Sequence, residues 1–581
     1  MNGADLTVLA YRFEGIARKM ANVLLRTGRS GVLNRAKDLS CCIVSRDCEL
    51  VSAAESLPIH VLSGPDLMAR SMHRYHPVLR RGDALLENSP YHGCSHAADH
   101  TIIVPVIDED GRHQFTVMAK AHQADIGNSQ PTTYFASAQD VYHEGALIFP
   151  SVKVQENYRM IEDIVRMCEM RIRVPQQWRG DFLAMIGAAR VGEHALLELA
   201  GEFGWDTLQE FATQWLDYGE QRMVDVIRAL PAGHGSASST HDPMIGTSPD
   251  GVTIKSSVSI DPSAARIGVD LTDNPDCVPS GLNLSEACSR SAAYLGVLNS
   301  IGSELPRNGG ALRRIDVALR ENCIVGIPLH PTSCSLATTN IADRATAATQ
   351  KAFAQIGAEL GMAEVGAINP PAKGVLSGVD PRTGKRFINQ LFLGSTGGPG
   401  TSQGDAWLTY SHVGNGAMAY IESIEMAELH HPILIRERAL VPDSEGAGKH
   451  CGAPSLRISF EALDASLTLV YASDGTINRA EGIRGGEAGG AATQHLFDSD
   501  GLQKDLPPAA QLLVEPGQLI VSVGTGGGGY GAPFERDPSR VAADVRAGLI
   551  SAERAAAIYR VSMNGSELDE AATRRLRHKT P

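Results

Sequence analysis

Hydrophobic residues in the first 122 positions follow one helical pattern and then several strand-like patterns. Residues 5–27 carry apolar side chains at helical spacing, which predicts a first helix that ends at the GRSG segment. The segment LSCCIVSRDCELVSAA has two short apolar runs around a polar turn and predicts a β-hairpin. Three more strands are predicted in DALLEN, HTIIVPVI and QFTVMAKAH, with DEDGR as the turn between the last two.

The pattern changes to long helical segments from about residue 155 to residue 230. PAGHGSASSTHDP at 231–243 is rich in glycine and serine and predicts a loop-like boundary. Strands and helices follow it, and the chain is then glycine-rich with short strands before a terminal helical piece. We therefore predict an α+β fold of several packed lobes with four regions: strand-rich 1–150, helical 151–232, mixed α/β 233–380 and glycine-rich, strand-rich 381–581.

The composition is that of a globular protein with many tight turns, since the 581 residues are 43% hydrophobic and include 59 glycines. A net charge of −14 argues against a general nucleic-acid binder, which needs a cationic surface. No apolar run approaches the ~18 residues of a membrane span and the start lacks signal-peptide features, so we expect a cytoplasmic protein without a membrane anchor. The ten cysteines form no C-x-x-C pair and are expected to be buried, reduced thiols.

Two His-x-x-Asp pairs, one at His96 and Asp99 and one at His122 and Asp125, flank the predicted turn. If Asp110-Gly111 forms a two-residue type I′ turn, cross-strand partners have position numbers that add up to 221. Asp99 then faces His122. In the same way, His96 faces Asp125. Imidazole and carboxylate groups on rigid strands suit a divalent cation, and the alternative is that these side chains only hydrogen-bond nearby turns.

Short motifs follow one another in a characteristic order along the chain. Those in the first quarter are KDLSCC at 37–42, PIH at 58–60, NSPYHGCSHAAD at 88–99, HQADIGN at 122–128 and YHEG at 142–145. Two glycine-rich segments come late, DSEGAGKHCG at 443–452 and TGGGGYGAPFERDPSRVAADVRAG at 525–548. In order and spacing these motifs resemble the hydantoinase B/oxoprolinase family over nearly the whole chain.

The resemblance implies a metal site and a division of work between subunits. It implies the metal ligands Asp38, His96, Asp99 and His122. Their mixed nitrogen and oxygen donors leave zinc and manganese as the favoured ions. It also implies a hydantoinase A-type partner with an actin-like ATPase fold, which activates the substrate with Mg-ATP, and we expect a dimer of heterodimers.

Two further residues are assigned catalytic roles. Asp125 is expected to orient His122 or to act as a base on water. A substrate contact of Glu144 in the YHEG motif rests on the resemblance alone. Nearby, Asn128 and the segment SQPTTYF at 129–135 depart from the family's pattern. These departures either alter substrate choice or mark a site that has drifted from the usual chemistry.

The function implied by the resemblance is that of the metal-containing subunit of an ATP-dependent hydrolase of cyclic amides such as hydantoins, oxoproline or lactams. Two alternatives stay open, a subunit of an acetone- or acetophenone-type carboxylase and a catalytically inert scaffold subunit. TGGGGYG at 525–531 is not a Walker A loop because no Lys-Ser or Lys-Thr follows it. We expect glycines 526–529 to allow close backbone packing or a tight turn after the strand QLIVSVG, and ATP to bind to the partner.

Overall fold

A seven-stranded antiparallel sheet occupies the first part of the protein, whose computed structural model describes residues 1–578 except 55, 303, 409, 411, 413 and 415–419. Its strands are β1 (Leu39–Ser45), β2 (Leu50–Ala54), β3 (Ala84–Glu87), β4 (Asp99–Ile107), β5 (His113–His122), β6 (Val152–Glu156) and β7 (Arg159–Met160). The strand order is β2-β1-β5-β4-β3-β6-β7. Because β4 and β5 lie in the middle, both are buried almost throughout.

Helices cover both faces of this sheet. They are α1 (Gly3–Thr27), α2 (Gly31–Asn34), α3 (Pro58–Val61), α4 (Pro65–Tyr75), α5 (Val141–Glu144), α6 (Glu162–Arg171), α7 (Pro175–Phe203) and α8 (Trp205–Ala229). The Asn2 side chain caps α1 by accepting hydrogen bonds from two backbone N–H groups, and Gly28 follows its last residue, which confirms the predicted first helix. Apolar residues of α1 and α7 pack on one face of β4 and β5, and α4 packs on the other.

The β4–β5 hairpin has the predicted register but not the predicted turn. Asp99 pairs with His122, and the same register continues to Val106 and Phe115. The connection is longer than two residues, since β4 ends at Ile107 and β5 begins at His113. The Gly111 N–H donates to the Asp108 carbonyl, and an irregularity after Val106 restores the register. The turn prediction was therefore wrong, although the pairing of Asp99 with His122 that was derived from it is confirmed.

A second sheet follows the long helices. It consists of β8 (Gly233–His241), β9 (Val252–Asp261), β10 (Arg266–Asp270) and β11 (Ile315–Ala318) in the order β11-β10-β9-β8. Two helices, α9 (Glu286–Ile301) and α10 (Ile341–Ile356), pack beside it. The predicted loop at 231–243 was wrong, because its residues form β8. A Cβ on Gly235 would lie 2.2 Å from the Ala352 carbonyl oxygen, so this glycine allows the strand to pack closely on α10.

Two further sheets form the C-terminal part. Their strands are β12 (Val375–Asp380), β13 (Lys385–Gln390), β14 (Ile433–Leu440), β15 (Leu456–Ala462), β16 (Leu467–Ala472), β17 (Thr493–Phe497), β18 (Gln503–Asp505), β19 (Ala509–Val514) and β20 (Leu519–Val523). The sheet orders are β13-β12-β16-β19 and β14-β15-β20-β17-β18. The remaining elements are α11 (Ile424–His430), α12 (Pro538–Arg546), α13 (Ala552–Ala557), β21 (Met563–Asn564), β22 (Glu567–Leu568) and α14 (Glu570–His578).

Glycines 526–529 lie in a bundle of extended segments whose backbones touch. A Cβ added to Gly527 would lie 1.9 Å from the Gly398 carbonyl oxygen, and one on Gly529 would lie 2.1 Å from that of Ala447. Backbone N–H groups of this run donate to carbonyls of neighbouring segments, for example from Gly528 to Glu364. The predicted close packing is confirmed, and these N–H groups are already used within the protein.

The architecture confirms the α+β class, with strands and helices in several separate sheets and layers. All ten cysteines are free thiols, and all but the half-buried Cys277 are buried, as predicted. Within the described residues, no helix has the length and apolar character that crossing a bilayer requires.

Replacing Gly527 by Ala should destabilise the protein strongly, because the new methyl group would overlap a backbone carbonyl that cannot move independently. We expect a loss of about 3 kcal/mol or more in the free energy of unfolding, measured by urea denaturation. Gly187→Ala in α7 is the matched control, since a Cβ there meets no atom within 4 Å. Equal stability of the two variants would contradict this account of the bundle.

Candidate metal centre

Five acidic and imidazole side chains meet at one end of the β4–β5 hairpin, and we call them the metal cluster: Asp38, His60, His96, Asp99 and His122. Asp38 directly precedes β1, Asp99 begins β4 and His122 ends β5, so strand pairing brings them together. The His122 N–H also donates to the Asp38 carbonyl at 3.2 Å. All five side chains are buried.

The Asp99 carboxylate lies at the centre of the metal cluster. Its Oδ1 is 3.2 Å from His96 Nε2 and 3.0 Å from His122 Nδ1. Its Oδ2 is 3.0 Å from His60 Nε2 and also accepts a hydrogen bond from the Ser95 hydroxyl. Asp38 Oδ1 lies 3.8 Å from His60 Nε2. Two triads therefore share Asp99, one with His96 and His122, the other with Asp38 and His60.

Each histidine is oriented by a contact on the side away from the centre. His96 Nδ1 donates to the Ser335 carbonyl at 2.8 Å, so Nε2 is the nitrogen that faces Asp99. His122 Nε2 lies 3.0 Å from Thr133 Oγ1, and His60 Nδ1 lies 3.2 Å from Ser40 Oγ. Outer contacts of this kind hold metal-binding imidazoles in the required tautomer and orientation.

The pKa values of Asp38 and Asp99 are shifted in opposite directions. Burial raises the pKa of Asp38, although His122 and His60 oppose the rise. Burial alone would also raise the pKa of Asp99, but the charges of His96 and His60 outweigh it and hold that pKa well below its usual range. Asp99 is therefore ionised in the fold, where its negative charge attracts a cation.

The donor set fits a divalent cation. Within the described part of the chain, the buried Asp38 Oδ1 accepts no hydrogen bond, which is costly unless another group binds it. Within each triad, carboxylate oxygens and imidazole nitrogens lie within 4.8 Å of one another and supply the mixed oxygen and nitrogen ligands of zinc and manganese sites. The residues present are thus those that could hold such an ion.

The predicted hairpin brought together His96, Asp99 and His122, and the resemblance added Asp38. Neither assigned a role to His60, which reaches the metal cluster on the short helix α3. The only sequence signal for this residue was the PIH motif. Because α3 lies outside the hairpin, its position follows from packing between distant segments, and no local periodicity in the sequence predicts it.

Asp125 does not belong to either triad. Its carboxylate accepts hydrogen bonds from the Gly127 N–H and from the backbone N–H and guanidinium of Arg173. The hairpin pairing continues past Asp99 only as far as a hydrogen bond from the Gln123 N–H to Ala98, so it does not pair His96 with Asp125. In this arrangement Asp125 holds the loop after β5 against the segment before α7. Its catalytic role stays a prediction.

Glu144 and His96 both contact the segment 333–335. Its Oε2 accepts a hydrogen bond from the Ser333 hydroxyl at 2.7 Å. Burial raises the pKa of Glu144, and the hydroxyls of Ser333 and Ser335 oppose that rise. Since the Ser335 carbonyl orients His96, Glu144 supports the segment that positions this imidazole. Whether it contacts substrate stays a prediction.

Lys120 is a buried residue that is linked to Asp99 through Ser95. No role was predicted for it from the sequence. Lys120 is on β5, two residues before His122 on the same face of the sheet. Its Nζ donates to Ser95 Oγ at 3.1 Å, and that hydroxyl in turn donates to Asp99. The ammonium therefore fixes the orientation of Ser95, through which it is linked to the Asp99 carboxylate.

Comparisons with known proteins point in one direction. The sequence model of the hydantoinase B/oxoprolinase family matches residues 2–533. The chain is 29% identical over 590 residues to the caprolactamase subunit beta of Pseudomonas jessenii, with 99% of each covered. It superimposes on the crystal structure of ATP-dependent caprolactamase from Pseudomonas jessenii with a TM-score of 0.88 and 26% identity, covering 99% of both chains. A nucleotide-free acetone carboxylase structure shares the fold alone, with 16% identity, a TM-score of 0.87, and coverage of 98% of this chain and 82% of that one.

We expect the purified protein to contain about one divalent ion per chain, zinc or manganese, and a His96→Ala, His122→Ala double variant to lose it because two nitrogen donors are removed. Elemental analysis by mass spectrometry measures the metal content. The matched control is His194→Ala, His234→Ala, which changes two exposed imidazoles. Wild-type protein without metal, or a cluster variant with unchanged metal content, would contradict the assignment.

Proposed function

Because the chain belongs to the hydantoinase B/oxoprolinase family, we propose that it is the metal-bearing subunit of an ATP-dependent hydrolase of cyclic amides. Family membership confirms the resemblance seen in the motifs. The observation that carries the proposal is the buried metal cluster, in which Asp99 contacts three imidazoles and the Asp38 oxygen has no hydrogen-bond partner among the described residues. A relative of similar length is named as a subunit of a caprolactamase, which supports the same chemistry here.

The reaction needs activation before water can attack, because an amide carbonyl is a poor electrophile. Phosphorylation of its oxygen by a partner subunit would supply both activation and a leaving group. Water then adds to the carbonyl carbon, and the ring C–N bond breaks with a proton passing to nitrogen, which leaves an acyl phosphate. A second water displaces phosphate from this group and forms the carboxylate. This sequence converts a cyclic amide into an open amino acid.

The residues of the metal cluster would bind the ion and hold its ligand atoms in fixed orientations. Asp38, His96, Asp99 and His122 would hold it, and a zinc or manganese ion at this place would supply activation of water, since such ions lower the pKa of bound water towards ~7. His60, in contact with Asp99 Oδ2, fixes the second carboxylate oxygen. Ser335, Thr133 and Ser40 hold the three rings in place, so that little reorganisation is needed during reaction.

A small cavity adjoins the metal cluster, and we call it the metal-side cavity. It has a volume of about 20 Å³ and is lined by Asp38, His60, Tyr134, Thr338, Thr339, Ile368, Asn369, Lys373, Gln390, Phe392 and His412. That volume holds about one water molecule. Most of its lining is polar, and the Asn369 and Gln390 side-chain oxygens have no hydrogen-bond partner among the described residues. The cavity thus suits the water that attacks the carbonyl.

ATP is proposed to bind to the partner and not to this chain. The glycine-rich run 526–529 is packed backbone to backbone, and its N–H groups donate to other segments of the same protein. A phosphate loop needs such N–H groups to be free for the nucleotide. A hydantoinase A-type, actin-like ATPase subunit is the proposed partner, in a dimer of heterodimers. Transfer of a labile intermediate calls for a permanent interface of ~2,000 Å² or more.

Co-expression with a hydantoinase A-type subunit should yield ATP-dependent ring opening that neither chain shows alone, measured by product formation from hydantoin, oxoproline and caprolactam. Asp99→Ala should lower the rate ~10³-fold or more because it removes the central ligand of the metal cluster. Asp500→Ala, at an exposed position, is the matched control.

Three outcomes would contradict the proposal. Full activity of the isolated chain without ATP would remove the need for a partner. Unchanged activity of Asp99→Ala would identify an inert scaffold. Consumption of bicarbonate with a ketone substrate, in place of ring opening, would identify a carboxylase.

A further inference from the structure

A groove of about 670 Å³ shares one lining residue, Tyr134, with the metal-side cavity. Its lining comes from four segments that are distant in sequence: 130–137, 243–249, 470–471 and 507–511. Binding sites for small molecules usually have volumes of about 300–1,000 Å³, mostly apolar walls and a few polar groups. The groove therefore has the size of a ligand site.

The walls of the groove are largely apolar. Tyr134, Phe135 and Ala136 form one side of it, and Val470, Tyr471, Pro507, Pro508, Ala509 and Ala510 form another. Met244 is half-buried in the wall and Ile245 is 68% exposed beside it. Polar groups, such as Gln130, Ser248 and Gln511, are few. Such a surface favours a hydrocarbon group over a charged one.

Tyr134 connects this groove to the metal cluster. It lines both the groove and the metal-side cavity. Its ring stacks on His122 at 5.2 Å and on His96 at 5.8 Å between centroids. Its hydroxyl faces Gln390 and Thr338, two residues that line the metal-side cavity. A group bound in the groove against Tyr134 is thus separated from His96 and His122 by the ring of this tyrosine.

Size decides which cavity can hold the body of a substrate. The metal-side cavity, at about 20 Å³, has room for about one water molecule. Two other cavities, of about 190 and 310 Å³, lie beside α4, and no member of the metal cluster lines them. The groove combines sufficient volume with direct contact to a residue that packs on the metal cluster.

From this arrangement, and resting on the proposed function, we infer that the groove binds an apolar ring or ring substituent of the substrate, so that the chain acts on cyclic amides that carry hydrocarbon bulk. The amide group of such a substrate lies at the Tyr134 edge, towards the metal cluster. The segment 129–135, which departs from the family's pattern, supplies this edge and part of the wall. The departure therefore determines substrate choice.

Filling the groove tests the inference. In the complex with the ATPase partner, Met244→Trp and Ile245→Trp should each raise KM for 5-benzylhydantoin about tenfold or more, because the new indole competes for the space of the phenyl group. KM for unsubstituted hydantoin should rise much less, because hydantoin carries no hydrocarbon substituent that reaches the groove. Val78→Trp, at an exposed position outside the groove lining, is the matched control.

Other results would overturn the inference. Equal changes in KM for both hydantoins, or no change for either, would show that the groove does not bind the substituent. Loss of co-purification with the ATPase subunit in Met244→Trp and Ile245→Trp, but not in Val78→Trp, would show that the groove holds the partner.

A wild-type complex that opens neither hydantoin would contradict the proposed function and leave the groove to be tested by binding alone. Isothermal titration calorimetry with 5-benzylhydantoin and the full chain then decides. Binding by wild-type protein and Val78→Trp that is lost in Met244→Trp supports the inference. Absence of binding to the wild type overturns it.

Discussion

The burial of the Asp99 carboxylate is the constraint on which the site depends. A buried charge is destabilising unless it is paired and hydrogen-bonded. Asp99 meets that requirement through three imidazoles and the Ser95 hydroxyl, which itself accepts a hydrogen bond from Lys120 Nζ. These partners come from three local structures, so the strand register, the turn before β4 and the placement of α3 must all be correct at once. The same convergence produces a ligand set for a cation.

Residues from later parts of the chain surround the metal cluster and orient its side chains. The segment that leads into α10 supplies the Ser335 carbonyl for His96 and the hydroxyl of Thr338 for the cavity wall. The helix itself is anchored by buried ion pairs, in which Arg344 contacts Asp474 and Glu364. Breaking one such pair would leave an uncompensated buried charge. The C-terminal part, through this helix, therefore helps to set the position of a metal-cluster histidine in the N-terminal sheet.

Closely packed glycines give the C-terminal part its rigidity. In the bundle around residues 526–529, backbones approach where a Cβ would overlap a carbonyl oxygen, so no other residue type fits without displacement. The groove wall at 507–511 and the cavity residue Gln390 belong to the sheet beside this bundle. The glycine-rich sequence thus serves the close packing of these backbone segments.

Sequence patterns predicted those features that depend on neighbours along the chain. The pairing of Asp99 with His122 is confirmed because register within one hairpin propagates from residue to residue, and the irregularity near Ile107 compensated for the longer turn. The first helix, the β1–β2 hairpin and the backbone packing of the glycine run were predictable for similar reasons. The 231–243 segment was misread because its strand is defined by pairing with β9 and contact with α10, and not by apolar residues of its own.

By itself, then, the sequence determined the local elements, the hairpin register and, through its motifs, the family. Only the tertiary structure decided that His60 joins the metal cluster and that Arg173 engages Asp125. Tertiary packing likewise made Tyr134 the contact between the groove and the histidines. The physical reason is that these contacts join segments separated by tens to hundreds of residues. Their distances depend on how whole sheets and helices pack, which no local periodicity encodes.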